Sequence, residues 1–192
     1  MKSRIGIIIA SIRDSRNADT IVEWIKIETK QYNGDLEFEV IDLKDWDVPH
    51  YTSAKIPAQR AYDNDFAKKW SAQMEQYDGF IVVTPEYNHS YPGVLKDAFD
   101  HLFHEWVYKP ITFIGYGTQG GVRAIEHLRL MSIQLAMAPI RRQITIPIWE
   151  VLEDGAPIIA ERFHDEAQEL FRQLEWWTIS LSDARKKRDI VL

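Results

Sequence analysis

Three short stretches of the chain carry residues able to do chemistry. The first, "SIRDSRN" at 11–17, sets the hydrogen-bonding groups of Ser11, Ser15 and Asn17 beside the cations Arg13 and Arg16. A helical pattern opens directly after it, and a helix N-terminus presents unpaired N–H groups and a positive dipole end. An anion there gains ~0.3–1 kcal/mol from the dipole. A charge-assisted hydrogen bond from Arg13 would add roughly 1.5–3 kcal/mol. The stretch therefore suits a phosphate. The same residue types also suit a plain loop in which Ser15 or Asn17 caps the helix, and residue type alone leaves both readings open. The pattern is neither GxxxxGK[ST] nor GxGxxG, so the anion would not be held by a Walker loop or a dinucleotide fingerprint.

The second stretch, "PEYNHSYPG" at 85–93, follows a continuously apolar run. Pro85 and Pro92 stiffen it, and Gly93 permits close backbone approach at the next helical segment. An aromatic, Tyr87, between the polar Glu86 and Asn88 on a stiff loop suits a planar heterocycle with donors and acceptors along one edge. The third, "GYGTQGG" at 115–121, offers Gly115, Gly117, Gly120 and Gly121 for a tight fold beside a ligand, with the hydroxyl of Thr118.

Rival chemistries lack their signatures. His101 and His104 are three apart on a helical pattern, yet no carboxylate is spaced as a third ligand and His-Glu-x-x-His is absent, so they read as surface or packed residues. Ser90 has no Gly-x-Ser-x-Gly elbow around it. The chain has no cysteine, which removes thiolate nucleophiles, disulfides and cysteine-held metal clusters. A phospho-acceptor would need acids at the ends of the first and third apolar runs, where Ser11 and Thr84 stand instead. The pair Trp176–Trp177 reads as core or interface.

The elements that must position these loops are legible in the periodicity. Five apolar, β-branched runs at 4–10, 37–41, 79–84, 111–115 and 143–146 read as strands, and the continuously apolar first, third and fourth read as covered on both faces. Helical spacing falls between them: at 18–31, at Phe66, Trp70, Met74 and Tyr77, at Leu95, Phe99, Leu102 and Phe103, and from Ile125 to Leu135. A closing helix is expected over 163–181. Alternating strands and helices predict an α/β fold with a parallel five-stranded sheet in the order 2-1-3-4-5. In that order the strand direction of winding reverses between the first and third strands, and ligands bind beyond the carboxyl ends there. All three polar stretches fall at that edge. The segment 147–157 reads as a small hairpin turning at Asp154-Gly155, or as an arm that docks on another subunit.

At 192 residues the chain has the size of one domain, expected to span 1–192 with an arm and helix from about 147. With 45% hydrophobic and 27% charged residues it reads as globular rather than disordered. A formal net charge of −6 argues against a general nucleic-acid surface. The basic run at 184–189 reads as a frayed, solvated tail. Lys2 and Arg4 precede only six apolar residues, so neither a secretory signal nor a membrane span is expected, and the expected location is cytoplasmic.

Together the three loops resemble the NADPH-dependent FMN reductases. "SIRDSRNA" resembles that family's GSxRxxSxxxxxA loop, with Ala10 where relatives often have Gly. "PEYNHSYPGVLKDAFD" is similar to its PEYN…PGxLKxxxD segment, and "GTQGGVRAIEHLR" to its GxxGGxRAxxxLR loop and helix. The resemblance implies a flavodoxin-like three-layer sandwich. It implies FMN as cofactor, NADPH or NADH as electron donor, and hydride passing from the nicotinamide through flavin N5 to a flavin, quinone, azo dye or similar small-molecule acceptor. Carried over by position, Ser11, Arg13, Ser15 and Asn17 would hold the phosphate. Pro85, Glu86, Tyr87 and Asn88 would line the ring and ribityl chain, and Gly117 and Thr118 would close the far side. No general acid or base is implied; Arg16 and Arg123 are candidates for contacting a 2′-phosphate. Family members are homodimers or dimers of dimers. An electron carrier of the flavodoxin type, without nicotinamide activity of its own, is the alternative, and a non-catalytic binder of another phosphorylated aromatic is a third reading.

Overall fold

The computed structural model describes residues 2–152 and 159–190. Its centre is a parallel sheet built on β1 (Ser3–Ile9), β2 (Leu36–Asp42), β3 (Gly79–Pro85) and β4 (Pro110–Gly117), with two short strands, β5 (Ala138–Pro139) and β6 (Ile144–Pro147), on the outer edge of β4. The order is β2-β1-β3-β4-β5, with β6 beside β4 as well, so the expected doubly wound topology is found. The core of β1, all of β3 and nearly all of β4 are buried, as continuous apolar runs require when helices cover both faces.

One difference from the sequence reading concerns the fifth strand. It is split into two pieces: β5 pairs with Pro110 and Ile111, while β6 pairs with Ile114 to Gly117. Side chains take up the backbone groups of the intervening residues. Arg129 donates to the carbonyls of Ile140 and Arg141, Thr112 donates to the Arg142 carbonyl at 2.6 Å, and Gln173 accepts the Arg142 N–H at 2.7 Å. Pro139 lacks the N–H that would continue the ladder.

The helices are α1 (Ala18–Gln31), α2 (Asp65–Met74), α3 (Gly93–Asp100), α4 (Val122–Gln134), a four-residue α5 (Trp149–Leu152) and the long α6 (Ile159–Lys187). One core layer unites α1 and α6 with the sheet through Ile7, Ile9, Ile21, Trp24, Leu170 and Leu174; the other packs α2, α3 and α4 through Trp70, Met74, Phe99, Ile125 and Leu128. Trp24, Trp70 and Trp106 are among the largest fully buried side chains. Burial of a large apolar side chain stabilises by ~1.5–3 kcal/mol, so these aromatics weigh heavily in both layers.

The helix bounds depart from the periodic pattern in places with local causes. Leu102 is buried yet lies beyond α3, which closes at the His101 C-cap, and Tyr77 likewise follows the end of α2. At its far end α6 continues into the basic stretch as far as Lys187, so that its first part is helical, while Lys186 to Asp189 are exposed. Arg185 explains this: it is largely buried, donates to the Tyr108 carbonyl at 2.6 Å and pairs with Asp78 at 3.4 Å. Phe163, Ala167, Leu170, Phe171, Leu174 and Thr178 form the buried stripe of α6, which turns Trp176 (64% exposed) and Trp177 (36%) outward, so neither is a core residue of this chain. The predicted turn at Asp154-Gly155 lies outside the described residues. No helix among the described residues is long and apolar enough to cross a membrane.

Candidate functional site

The carboxyl ends of β1, β3 and β4 lie side by side, because β1 pairs with β3 up to Ile9–Val83 and β3 with β4 up to Pro85–Tyr116. Their following loops therefore meet. A cleft of about 270 Å³ opens between them, lined by Ser11, Arg13, Ser15, Arg16, Asn17, Pro85, Glu86, Tyr87, Tyr116, Gly117, Thr118 and Ile148. Nine of the ten residues singled out from the sequence are in that lining.

Asn88 is the exception. Tyr87 N–H donates to the Ser90 carbonyl at 2.7 Å and Ser90 N–H returns to the Tyr87 carbonyl at 3.0 Å. The two residues between, Asn88 (φ 49°) and His89 (φ 73°), both take left-handed backbone, as a two-residue type I′ turn demands. Asn is among the side chains that tolerate this region, and Asn88 is exposed and is not among the residues lining the cleft. Asn88 thus shapes the turn that presents Tyr87. His127 Nδ1, 2.9 Å from Ser90 Oγ, ties that turn to α4.

The first loop is anchored by an ion pair that sequence inspection did not predict. Arg16 makes a two-pronged contact with Asp42 at the end of β2, bonds Asp19 through Nε at 2.9 Å, and bonds the Ser11 carbonyl. Its side chain is only 8% exposed. The hydrogen bond to Asp42 raises the guanidinium above its ordinary value, against the opposing effect of burial. Burial pushes the Asp42 carboxyl up, but the bonds from Arg16 and from Lys44 N–H outweigh it and leave the carboxyl below its usual range. Arg16 is thus engaged in holding the loop while also lining the cleft.

What remains exposed toward a ligand is Arg13, Ser15 and the start of α1. Asn17 occupies the N-cap position, yet no side-chain cap bond is made there. The capping reading of "SIRDSRN" is therefore not realised, and the donors of the first turn stay open to a ligand. Ser11 Oγ and Tyr87 OH are 3.0 Å apart, linking the first loop to the second.

Glu86 is held at the opposite wall. Arg123 bonds its carboxylate through the backbone N–H at 3.1 Å and through the guanidinium at 2.7 Å. Burial works against ionisation, but the two Arg123 bonds prevail and keep the carboxyl below its usual value. The other arginine considered for a 2′-phosphate is thus also engaged. Beyond it the glycines allow a close fold. Gly121 sits at φ 76°, and a Cβ there would come within 2.6 Å of Tyr116 N. Gly117, at φ 151°, accepts the Ile148 N–H at its carbonyl at 2.9 Å, which brings Ile148 to the cleft wall.

Tyr116 and Ile148 escaped the sequence reading. Tyr116 looks like one more apolar position of a strand, and Ile148 lies past the last predicted strand; the only signal was their adjacency to the glycine loop and to β6. The histidines left aside in the sequence are used structurally: His101 Nε2 meets the Pro49 carbonyl at 3.0 Å and His104 Nε2 the Ala58 carbonyl at 2.8 Å, pinning the loop before α2.

Residues 3–150 match the sequence profile described as NADPH-dependent FMN reductase. A relative from Schizosaccharomyces pombe, named an NAD(P)H-dependent FMN reductase, is 32% identical over 148 residues, covering 75% of this chain and 74% of its own. A Burkholderia protein named 2-hydroxy-1,4-benzoquinone reductase is 32% identical over 140 residues, covering 67% and 69%. Among solved structures, the Paracoccus denitrificans flavoenzyme NAD(P)H:(acceptor) oxidoreductase superposes with a TM-score of 0.60 at 22% identity, covering 98% of this chain and 100% of that one, a likeness of fold.

Proposed function

The chain belongs to the NADPH-dependent FMN reductase family, and on that premise we propose that the cleft binds FMN and that the protein is an NAD(P)H oxidoreductase delivering electrons to a small acceptor such as a flavin, a quinone or an azo compound. One observation carries this reading: the phosphate-type loop, the Tyr87 turn and the glycine loop converge on a single cleft at the winding reversal. The residues suit the cofactor. The first turn of α1 lacks a side-chain cap, Arg13 supplies a cation, and the cleft is near the lower end of small-ligand sites in size.

In this reading Ser11, Arg13, Ser15 and Asn17 hold the phosphate, while Pro85, Glu86, Tyr87, Gly117 and Thr118 bound the ring, with Asn88 setting the turn. Bound there, FMN supplies the two-electron chemistry between nicotinamide and acceptor. The chain's residues supply position and charge. Arg16 locks the first loop through Asp42, and Arg123 keeps Glu86 ionised, so neither side chain is poised to shuttle a proton. The quinone reductase among the relatives supports an acceptor of quinone type. Outward apolar side chains on α4 (Leu130, Ile133) and α6 (Trp176) support the expected self-association into a homodimer or dimer of dimers, which light scattering on the purified protein would count.

The functional test is an absorbance titration with FMN followed by anaerobic NADPH. Bleaching of the bound flavin is the expected result. FMN binding without bleaching, and without steady-state NADPH oxidation, would replace the enzyme by an electron carrier; no binding at all would remove the flavin reading.

A further inference from the structure

We propose that the Tyr116 hydroxyl is a phosphate-binding group, donating a hydrogen bond to the phosphate monoester of the ligand on the floor of the cleft. The inference rests on the FMN reading and extends it to a residue outside the three loop motifs.

Tyr116 is 4% exposed, and its phenol oxygen is buried without a hydrogen-bond partner among the described residues. A buried hydroxyl left unpaired costs ~1–3 kcal/mol, and folded chains avoid that cost almost everywhere. This chain does so at several other buried or half-buried aromatic polar groups. Trp70 Nε1 donates to the Ala98 carbonyl at 2.8 Å, Trp106 Nε1 to the Phe99 carbonyl at 3.2 Å, and Tyr62 to Glu105 at 2.8 Å. The other such orphan among the described residues, Trp24 Nε1, lies in the core against Phe163 and does not line this cleft. Tyr116 differs because it lines the cleft.

Its placement selects the ligand group. Alternation along β4 puts Ile114 and Tyr116 in the layer shared with α1, together with Ile9, Ala18 and Ile21, and Phe113 in the opposite layer. The ring therefore packs beneath the first turn of α1. Burial raises the phenol above its ordinary value, with the neighbouring Ser11 hydroxyl partly offsetting it, so the group is a neutral donor at physiological pH. The Ser11 hydroxyl itself is engaged with Tyr87. The orphan donor thus lines the same cleft as Ser15, Arg13 and Asn17 at the uncapped start of α1. A phosphate there satisfies Tyr116 and the α1 N–H groups together.

The test compares wild type with Tyr116→Phe, titrated with FMN and with riboflavin, which lacks the phosphate, alongside thermal unfolding without flavin. Removal of an orphan hydroxyl should leave the flavin-free melting temperature equal or higher. FMN affinity should fall about 10- to 100-fold, the loss of one hydrogen bond to a charged group, while riboflavin affinity stays unchanged. Undiminished FMN affinity would overturn the proposal, and an equal loss for both flavins would reassign the hydroxyl to the ring or ribityl chain. Wild-type protein that binds neither flavin would instead sink the FMN reading beneath it.

Discussion

Substituting Asn for Asp42 probes the anchor of the first loop. The replacement is nearly isosteric and keeps an acceptor for Lys44 N–H, which bonds Asp42 Oδ1 at 2.9 Å, so the change is chiefly one of charge. Arg16 is 8% and Asp42 19% exposed, which places the pair between a surface bridge and a buried one. Surface bridges contribute ~0–1 kcal/mol, and breaking a buried pair costs about 3–5 kcal/mol. Asp19 remains to share the guanidinium, so a loss of roughly 1.5–3 kcal/mol is expected, within the span those limits set. Arg16 also bonds the Ser11 carbonyl, so the loop that would hold the phosphate should loosen and FMN affinity fall by about tenfold, equivalent to ~1.4 kcal/mol. Urea unfolding of the flavin-free protein measures the first effect and calorimetric titration with FMN the second. A cycle with Arg16→Met isolates the pair term. If Asp42→Asn leaves both the unfolding free energy and the FMN affinity where they were, the clamp does not organise the site.

Three further outcomes follow from the same geometry. Glu86, whose carboxyl is held low by Arg123, contributes stability that is fully present above the unfolded carboxyl value of about 4.3 and is lost as pH falls through the lower folded value; Glu86→Gln should flatten the stability profile in that acid window, and an unaltered profile would show the pair to be idle. Tyr87→Ala should keep the far-UV circular dichroism of the fold while weakening FMN binding by about tenfold or more, the worth of ~1.4 kcal/mol, and unchanged turnover together with unchanged flavin affinity would remove Tyr87 from the site. Gly121→Ala places a Cβ 2.6 Å from Tyr116 N at φ 76°, so thermal unfolding should report a loss of at least ~1–3 kcal/mol from backbone strain, and an unshifted melting temperature would contradict the tight packing of the glycine loop.

The amino-acid sequence by itself determined the alternation of apolar runs and helical stripes, and with it the parallel sheet and its order. Runs such as Phe80–Val83 and stripes such as Ile21, Trp24 and Ile25 report burial directly, since the periods of strand and helix are local properties of the backbone. It also determined which loops matter, because Tyr87, Arg13 and Gly117 are types whose chemistry shows without neighbours. Tertiary structure alone decided the partners. Arg16 looked like a free cation until the parallel register of β1 and β2 brought Asp42, 26 positions away, against it. Tyr116 looked like core until the pairing of β4 with β3 brought it to the cleft, and Asn88 lies outside the cleft lining, in the turn closed by the bridge from Tyr87 to Ser90. Charge pairing and hydrogen-bond satisfaction are long-range in the chain and short-range in space, so no periodicity announces them.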